Sequence, residues 1–516
     1  MRRQDIQLLS QARRGDAAAR CEVGRRYLLG TTGFPRHVAT GLAYLQPTSL
    51  SGDAAPARLI AEILPLHELV ALDQLGPLEA AAQAGSLPAM VKLGAWCLAT
   101  GQGLGPCQRW LTAAAGAGHV GARQSLQALA EAPRDAALAT VLQQLSASGD
   151  IDGAQVARLA ARQALAKADL PLLADCLGAA LLAPPGLDDE LVLLLVAAVQ
   201  LAEATGQVLQ GLPGAALRDS LEQRASQGDR DAAFTLGRGA SAMACDALPA
   251  EVFAEHKNMR KGAAFLMRAA DAGCDAAWLC LYRLHADHQL SVANPQLARF
   301  FLEKAALCGQ SEAQRRLGAL LLRESTSLDQ TEQAIAWLHQ AAAQGDAHAS
   351  ALLFSLVLPV DENDADAEFG IEQVRRSDPW LALRLSLARA FGLTKLEALT
   401  VDPVEGQRAW GLVVGKNPFI SQVRLSAARA VPATSPAALE AAQRAAAFFG
   451  QSRGDANAAE GDLRARSLRQ RRMFDRLELD EAMYFSNANS MTLESLRLGA
   501  KWAFRSREPL QQALMA

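Results

Sequence analysis

Glycine recurs in this chain at the period of a helical hairpin, and its neighbours recur with it. Gly273, Gly309 and Gly345 follow one another at intervals of 36 residues, and anchors of the same kind stand at Gly15, Gly52, Gly85, Gly118 and Gly228. Four positions beyond most of them lies alanine (Ala19, Ala89, Ala122, Ala232, Ala277, Ala313 and Ala349), with Pro56 the exception. Eight positions beyond lies an aliphatic residue: Val23, Ile60, Leu93, Leu126, Leu236, Leu281, Leu317 or Leu353. Self-similarity at this length predicts a stack of repeats in which each unit touches only its neighbours, so the hydrophobic core grows lengthwise.

Each repeat reads as two helices. Ahead of the anchors run Trp110-Leu111, Phe265-Leu266, Phe301-Leu302 and Trp337-Leu338, followed by paired alanines at Ala114-Ala115, Ala269-Ala270, Ala305-Ala306 and Ala341-Ala342. Spacings of three and four place these residues on one stripe of a second helix. The anchor suits the left-handed position that closes a helix. Asp16, Asp53, Asp229 and Asp346 follow their glycines directly and can cap the next helix. Nine positions past the anchor, Gly24, Gly94, Gly237 and Gly318 fall inside the first helix. Glycine there costs about 1 kcal/mol relative to alanine, so its recurrence at one phase predicts close contact between helices.

This combination resembles the Sel1-like repeat, a relative of the tetratricopeptide repeat. Its Ala-x-x-x-Leu-Gly-x-x-Tyr-x-x-Gly pattern is matched by Ala19, Val23, Gly24, Tyr27 and Gly30. A second copy has Ala89, Leu93, Gly94 and Gly101, with Trp96 one position before the tyrosine site. Tyr282 and Phe354 replace the first-helix glycine in two repeats. The resemblance covers roughly residues 10–130 and 222–358 and implies an all-α solenoid of stacked helix-turn-helix repeats. The expected organisation is repeats over 1–130, degenerate helical repeats over 131–221 and repeats again over 222–358. An acidic linker at 359–369 and a helical C-terminal module at 370–516 complete it. In the degenerate stretch 131–221 Gly149-Asp150 echoes an anchor, and Pro184-Pro185-Gly186 breaks the pattern. The longer interval from Gly228 to Gly273 leaves an insertion near 244–260, where a repeat protein can place recognition.

Composition excludes some functions. Lys+Arg 51 against Asp+Glu 54 gives a net charge of −3, so no global field draws nucleic acid or anionic membrane. The opening Met-Arg-Arg-Gln-Asp-Ile-Gln lacks the apolar segment of a secretory signal. The run from Leu191 to Val199 is too short for a membrane span. Eight cysteines without paired spacing point to reduced thiols in the cytoplasm.

No motif demands a cofactor or metal. Gly411-Leu-Val-Val-Gly415-Lys416-Asn417 departs from a phosphate loop in spacing and lacks the magnesium-binding hydroxyl, and reads as a turn or a short extended segment. Gly101, Gly103 and Gly105 follow a helix, where a dinucleotide fingerprint needs a strand. Cys274, Cys280, His285 and His288 share one helix but not one face. The acidic run Asp361–Glu368 lacks the glycine of a calcium loop.

The expected function is therefore non-enzymatic: a scaffold or adaptor gripping a protein or peptide in the groove lined by first helices. The Sel1-like resemblance implies bacterial signalling, envelope or secretion systems as settings. Helical phase nominates Arg25, Arg26, Lys92, Arg283, Arg315 and Arg316 as exposed groove residues. An alternative makes the C-terminal module a nucleic-acid binder. It rests on residues 387–400, which loosely follow a helix-turn-helix, and on the basic stretch Arg464, Arg466, Arg469, Arg471, Arg472 and Arg476. An acidic protein would satisfy the same arginines, as would the neighbouring Asp462, Asp475 and Glu478 on a solvated face.

Overall fold

The computed structural model describes residues 3–49, 54–102, 104–132, 134–183, 186–360, 364–417, 420, 428–451, 460–488, 492–493, 496 and 506–515. The expected anchor Gly52-Asp53 lies outside them, as do Pro184-Pro185 and the start of the acidic run at 361–363. The chain divides into two units, Met1–Cys274 and Asp275–Ala516. Each contains a run of helical hairpins, so the fold is the predominantly helical repeat architecture that the glycine period predicts.

The described anchors are left-handed without exception: Gly15, Gly85, Gly118, Gly228, Gly273, Gly309 and Gly345 have φ between +84° and +97°. A Cβ on any of them meets nothing within 4 Å, so backbone conformation and not packing requires glycine there. At Gly309 the closing hydrogen bonds run from its own N–H to Ala306 O (3.0 Å) and from Gln310 N–H to Ala305 O (3.2 Å). This pattern satisfies the carbonyls that the helix leaves over. One residue on, the Asp16 and Asp346 carboxylates accept the Ala19 and Ala349 N–H groups and start the next helices.

Glycine inside the first helix has the opposite reason. A Cβ on Gly24 would lie 2.6 Å from Leu45 Cγ; on Gly94, 2.8 Å from a Leu111 methyl; on Gly237, 2.7 Å from Leu266 Cγ; on Gly318, 2.8 Å from Leu338 Cγ. In every case the leucine comes from the second helix of the same hairpin, so absence of a side chain sets the interhelical distance. The predicted stripes are buried accordingly: Phe301, Leu302, Ala305 and Ala306 are at most 1% exposed.

In the first unit the hairpins include Ala17–Leu29 with Val38–Ser49, Leu87–Ala99 with Leu104–Gly116, and Arg230–Ala240 with Met259–Asp271. The degenerate stretch contains another, Gly153–Ala166 with Leu170–Leu182. Its joint is closed by Ala168 in the left-handed conformation (φ 56°), followed by the capping residue Asp169. The echo Gly149-Asp150 is left-handed too, but the next helix is capped two residues later by Asp152. Asp150 instead meets His119 Nε2 at 2.8 Å.

The second unit carries Asp275–Ala286 with Pro295–Leu307, Ser311–Glu324 with Leu328–Ala343, and Ala347–Ser355. Two expectations need correcting here. The stretch read as an acidic linker enters the helix Asp364–Arg375. Carboxylates at its start favour the helix N-terminus, and Ala367, Ile371 and Val374 give it a buried face. The module from 370 onward is also not wholly helical: β1 (Gln407–Arg408), β2 (Gly411–Val414) and β3 (Arg429–Pro432) form an antiparallel sheet in that order. Gly411–Val414, the segment read as a turn or a short extended stretch, is a buried strand.

Candidate partner-binding faces

In the second unit, Arg283 and Arg316 converge on one carboxylate. Glu312 takes Arg283 Nη2 at 2.6 Å and Arg316 Nε at 3.0 Å, and the Arg316 guanidinium lies over the Tyr282 ring at 5.7 Å. Arg315, one residue away, turns inward. Its side chain is 4% exposed, pairs through Nε with Asp346 at 2.9 Å and donates through Nη1 to Ala513 O at 2.7 Å. Exposure was expected of Arg315 and is not found, because the helix Arg507–Met515 covers it.

That short helix lies on the first helices Ser311–Glu324 and Ala347–Ser355, the wall that helical phase assigns to partner binding. Leu510, Ala513 and Leu514 form its inward stripe, and Ala513 is fully buried. Arg507, Glu508, Gln511, Gln512 and Met515 face outward. Ser506 Oγ donates to Ser355 O at 3.3 Å at one end. At the other, Arg315 and Arg316 reach carbonyls of the last turn, the latter touching Met515 O at 3.4 Å. Two cations thus meet the negative pole of a helix and the carbonyls it cannot satisfy internally.

The first-unit candidates are more occupied than helical phase suggests. Glu22 binds Arg25 at 2.8 Å and Arg26 at 2.6 Å, and Arg26 also reaches Asp5 at 3.0 Å. The Arg25 hydrogen bond, helped by that from Arg26 and opposed by partial burial, holds the Glu22 carboxyl at about 2. Lys92 is another correction: it is 4% exposed, and its Nζ donates to Ala61 O (2.6 Å) and Leu64 O (2.8 Å). It ties off a neighbouring helix terminus, and burial pushes its pKa below the usual lysine value.

The 244–260 insertion is folded onto the repeat beneath it. Phe253 packs over Gly239, where a Cβ would come within 2.5 Å of the ring. Leu209 N–H donates to Ala247 O, Asn258 N–H to Ala240 O, and Arg218 Nη1 to Val252 O. Open clefts of about 300 and 500 Å³ flank it. The first is lined by Arg218, Glu222, His256 and Lys261, the second by Met243, Cys245, Asp246 and Leu248. Another cleft, of about 340 Å³ and largely apolar, lies among Leu142, Ile151, Asp152, Ala179 and Leu182.

In the C-terminal module most of the candidate basic groups serve internal contacts. Arg466 is 7% exposed, donates to Leu399 O and Gly461 O, and lies 3.4 Å from Glu460. Arg469 pairs with Asp378 and donates to Glu460 O, and Arg476 reaches Ser377. The partners thus include Glu460, Asp378 and Ser377. Arg464, Arg471, Arg472 and Arg476 remain exposed on the helix Leu463–Leu477. The second helix of the helix-turn-helix-like segment, Lys395–Thr400, has six residues, of which Glu397, Ala398, Leu399 and Thr400 are buried. Its start carries a Thr394–Glu397 capping box, and Glu397 also binds Arg429 at 2.7 Å in the core. A helix so short and so enclosed presents too little edge for a DNA groove.

Sequence reasoning missed Arg384, which pairs with Glu460 at 2.7 Å and caps the carbonyls of Ala398 and Val401. An arginine amid Leu381, Leu385 and Leu387 is the only signal of that role. His285 Nδ1 lies 2.7 Å from Val292 O, and among the described residues no group of three or more His, Cys, Asp or Glu side chains is arranged to hold a metal ion. Among them, too, no helix is long and apolar enough to cross a membrane.

No family model matches the chain, and no curated protein does so significantly. Among solved structures it is similar to c5321, a protective antigen of uropathogenic Escherichia coli with an SLR fold, at 18% identity and TM-score 0.29, covering 77% of this chain and 81% of that one. It is also similar to a Sel1 repeat protein from Oxalobacter formigenes, at 20% identity and TM-score 0.24, covering 66% and 87%. On its own repeat residues, left-handed joints and glycine-spaced hairpins, the chain is a helical-repeat protein.

Proposed function

We propose that this protein is a non-enzymatic scaffold or adaptor whose first-helix faces bind a protein or peptide partner. One observation carries the reading: in the second unit that face seats a short amphipathic helix, with apolar residues inward and arginines on its last carbonyls. A wall built to order such a segment has the chemistry of helix-in-groove recognition. Cysteines without paired spacing support a reducing, cytoplasmic setting as part of the same reading.

The test is affinity capture from the native cell with the intact chain and with Arg283→Glu/Arg316→Glu. Arg283 is exposed and Arg316 partly covered, and the pair contacts Glu312, Tyr282 and the seated helix. A partner recovered by the wild type and lost by the variant supports the reading. Recovery unaffected by charge reversal counts against it.

A further inference from the structure

The segment Arg507–Met515 differs from the helices around it in how it is held. It has nine residues, and only Ala513 among them is buried, while Leu510 and Leu514 are partly covered and Met515 is 72% exposed. An isolated helix of this length is marginal in water, so it owes its form to the surface it lies on. Leu338, Leu352 and Leu353 beneath it are at most 2% exposed and share one buried cluster with Ala513. The contacts that define its position are a small residue at the closest approach, two flanking leucines and a polar clasp at either end. Ser355 O accepts from Ser506, and Arg315 and Arg316 take the carbonyls of Ala513 and Met515.

We infer that the groove between Ser311–Glu324 and Ala347–Ser355 is a receptor for a short amphipathic helix of the form Leu-x-x-Ala-Leu, and that residues 506–515 occupy it in cis as a displaceable competitor. The partner is therefore a helix with a small residue between two apolar ones, ending where Arg315 and Arg316 can take its free carbonyls. This rests on the scaffold reading above and adds its regulation. An intramolecular occupant enjoys a high effective concentration, so a partner in trans must bind tightly or meet a chain whose own helix has been released.

The experiment uses the full chain. Ala513→Glu places a carboxylate in the buried position of the stripe and beside a wall that has no room for it, which releases the segment. A fluorescent peptide of residues 506–515 is then titrated against wild-type and variant chains by anisotropy. Saturable binding to the variant, at least about tenfold tighter than to the wild type, is expected from relief of competition. The same peptide carrying Ala513→Glu must fail to bind. Circular dichroism accompanies the titration. A variant that keeps its helix content yet binds no peptide overturns the inference, as does equal binding to both chains. Collapse of helix content overturns it too, since the segment is then an integral part of the core. Hydrogen exchange on the unmodified chain gives an independent reading. Amides of 507–515 should exchange at least about a hundredfold faster than those of 311–324 and 347–355, because a docked segment opens without its host; equal protection refutes displacement. Failure here with arginine-dependent capture intact leaves the scaffold reading standing. Peptide binding with no arginine-dependent partner removes that reading and keeps the cis contact.

Discussion

Alanine normally stabilises a helix interior relative to glycine, by about 1 kcal/mol; at Gly318 the sign should reverse. A Cβ there would lie 2.8 Å from Leu338 Cγ, 2.9 Å from Ala334 O and 3.1 Å from Leu338 N. The leucine could rotate, but the two backbone atoms cannot. Relief requires the helices Ser311–Glu324 and Leu328–Ala343 to part by roughly half an ångström in a close-packed core. Overpacking of this kind costs about 1–3 kcal/mol, often more when backbone must shift. Set against the propensity gain, Gly318→Ala should lower the local stability of this hairpin by about 1 kcal/mol, and in no case raise it. A chain of this size does not unfold in two states, so the measurement is hydrogen exchange resolved to these two helices. Protection should fall about fivefold or more, while hairpins of the first unit stay unchanged. An increase in protection at 311–343 would refute the idea that the recurrent first-helix glycine sets interhelical distance.

The remaining expectations come from other joints and other charges. Ala168 is exposed and left-handed, a conformation that costs alanine about 1–2 kcal/mol; Ala168→Gly should therefore stabilise the 153–182 hairpin by about 0.5–1 kcal/mol after the entropy of glycine is subtracted, and faster exchange there would show the reasoning wrong. For Glu397, burial disfavours the charge, but Arg429 and the Thr394 hydrogen bonds prevail and hold its pKa below the ordinary 4.5. The stability this gives is present above the unfolded value and lost as pH falls through the lowered one; Glu397→Gln should flatten that acid dependence in the 379–432 region. The same change should cost about 3–5 kcal/mol at neutral pH by stranding buried Arg429, read from hydrogen exchange of the 379–400 helices between pH 3 and 7. If the alternative nucleic-acid reading holds, Arg464, Arg471, Arg472 and Arg476 are the candidate arginines most open to phosphates. The slope of log K against log salt should then not exceed about 4 in magnitude for the full chain, and a gel shift absent at low salt removes that reading.

What could be read from the sequence was what is local. The Gly-Asp joint closes its hydrogen bonds within a few residues, and the alanine, leucine and inner-glycine positions follow from it, so hairpins were legible wherever glycine marked them. Ala168 hid one joint, because an alanine in a left-handed conformation leaves no compositional trace. The candidate site was legible only by face. Helical phase placed Lys92 and Arg315 on the first-helix wall, but their burial depends on groups far along the chain: Ala61 and Leu64 for the former, Ala513 for the latter. Similarly, Gly411–Val414 could be suspected of extending, whereas its partner strand Arg429–Pro432 begins with a fully buried arginine that argues against a strand until Glu397 is seen beside it.

The clasp between Arg315 and the last turn of the seated helix joins residues 198 apart in sequence. A ribosome adds about 5–20 residues each second, so the wall, finished only when Ser355 has been made, stands vacant for roughly 8–30 s before its own occupant follows. Newborn molecules therefore pass through an interval in which any suitable helix nearby faces no rival, and assembly begun during translation has a kinetic advantage that mature chains no longer offer.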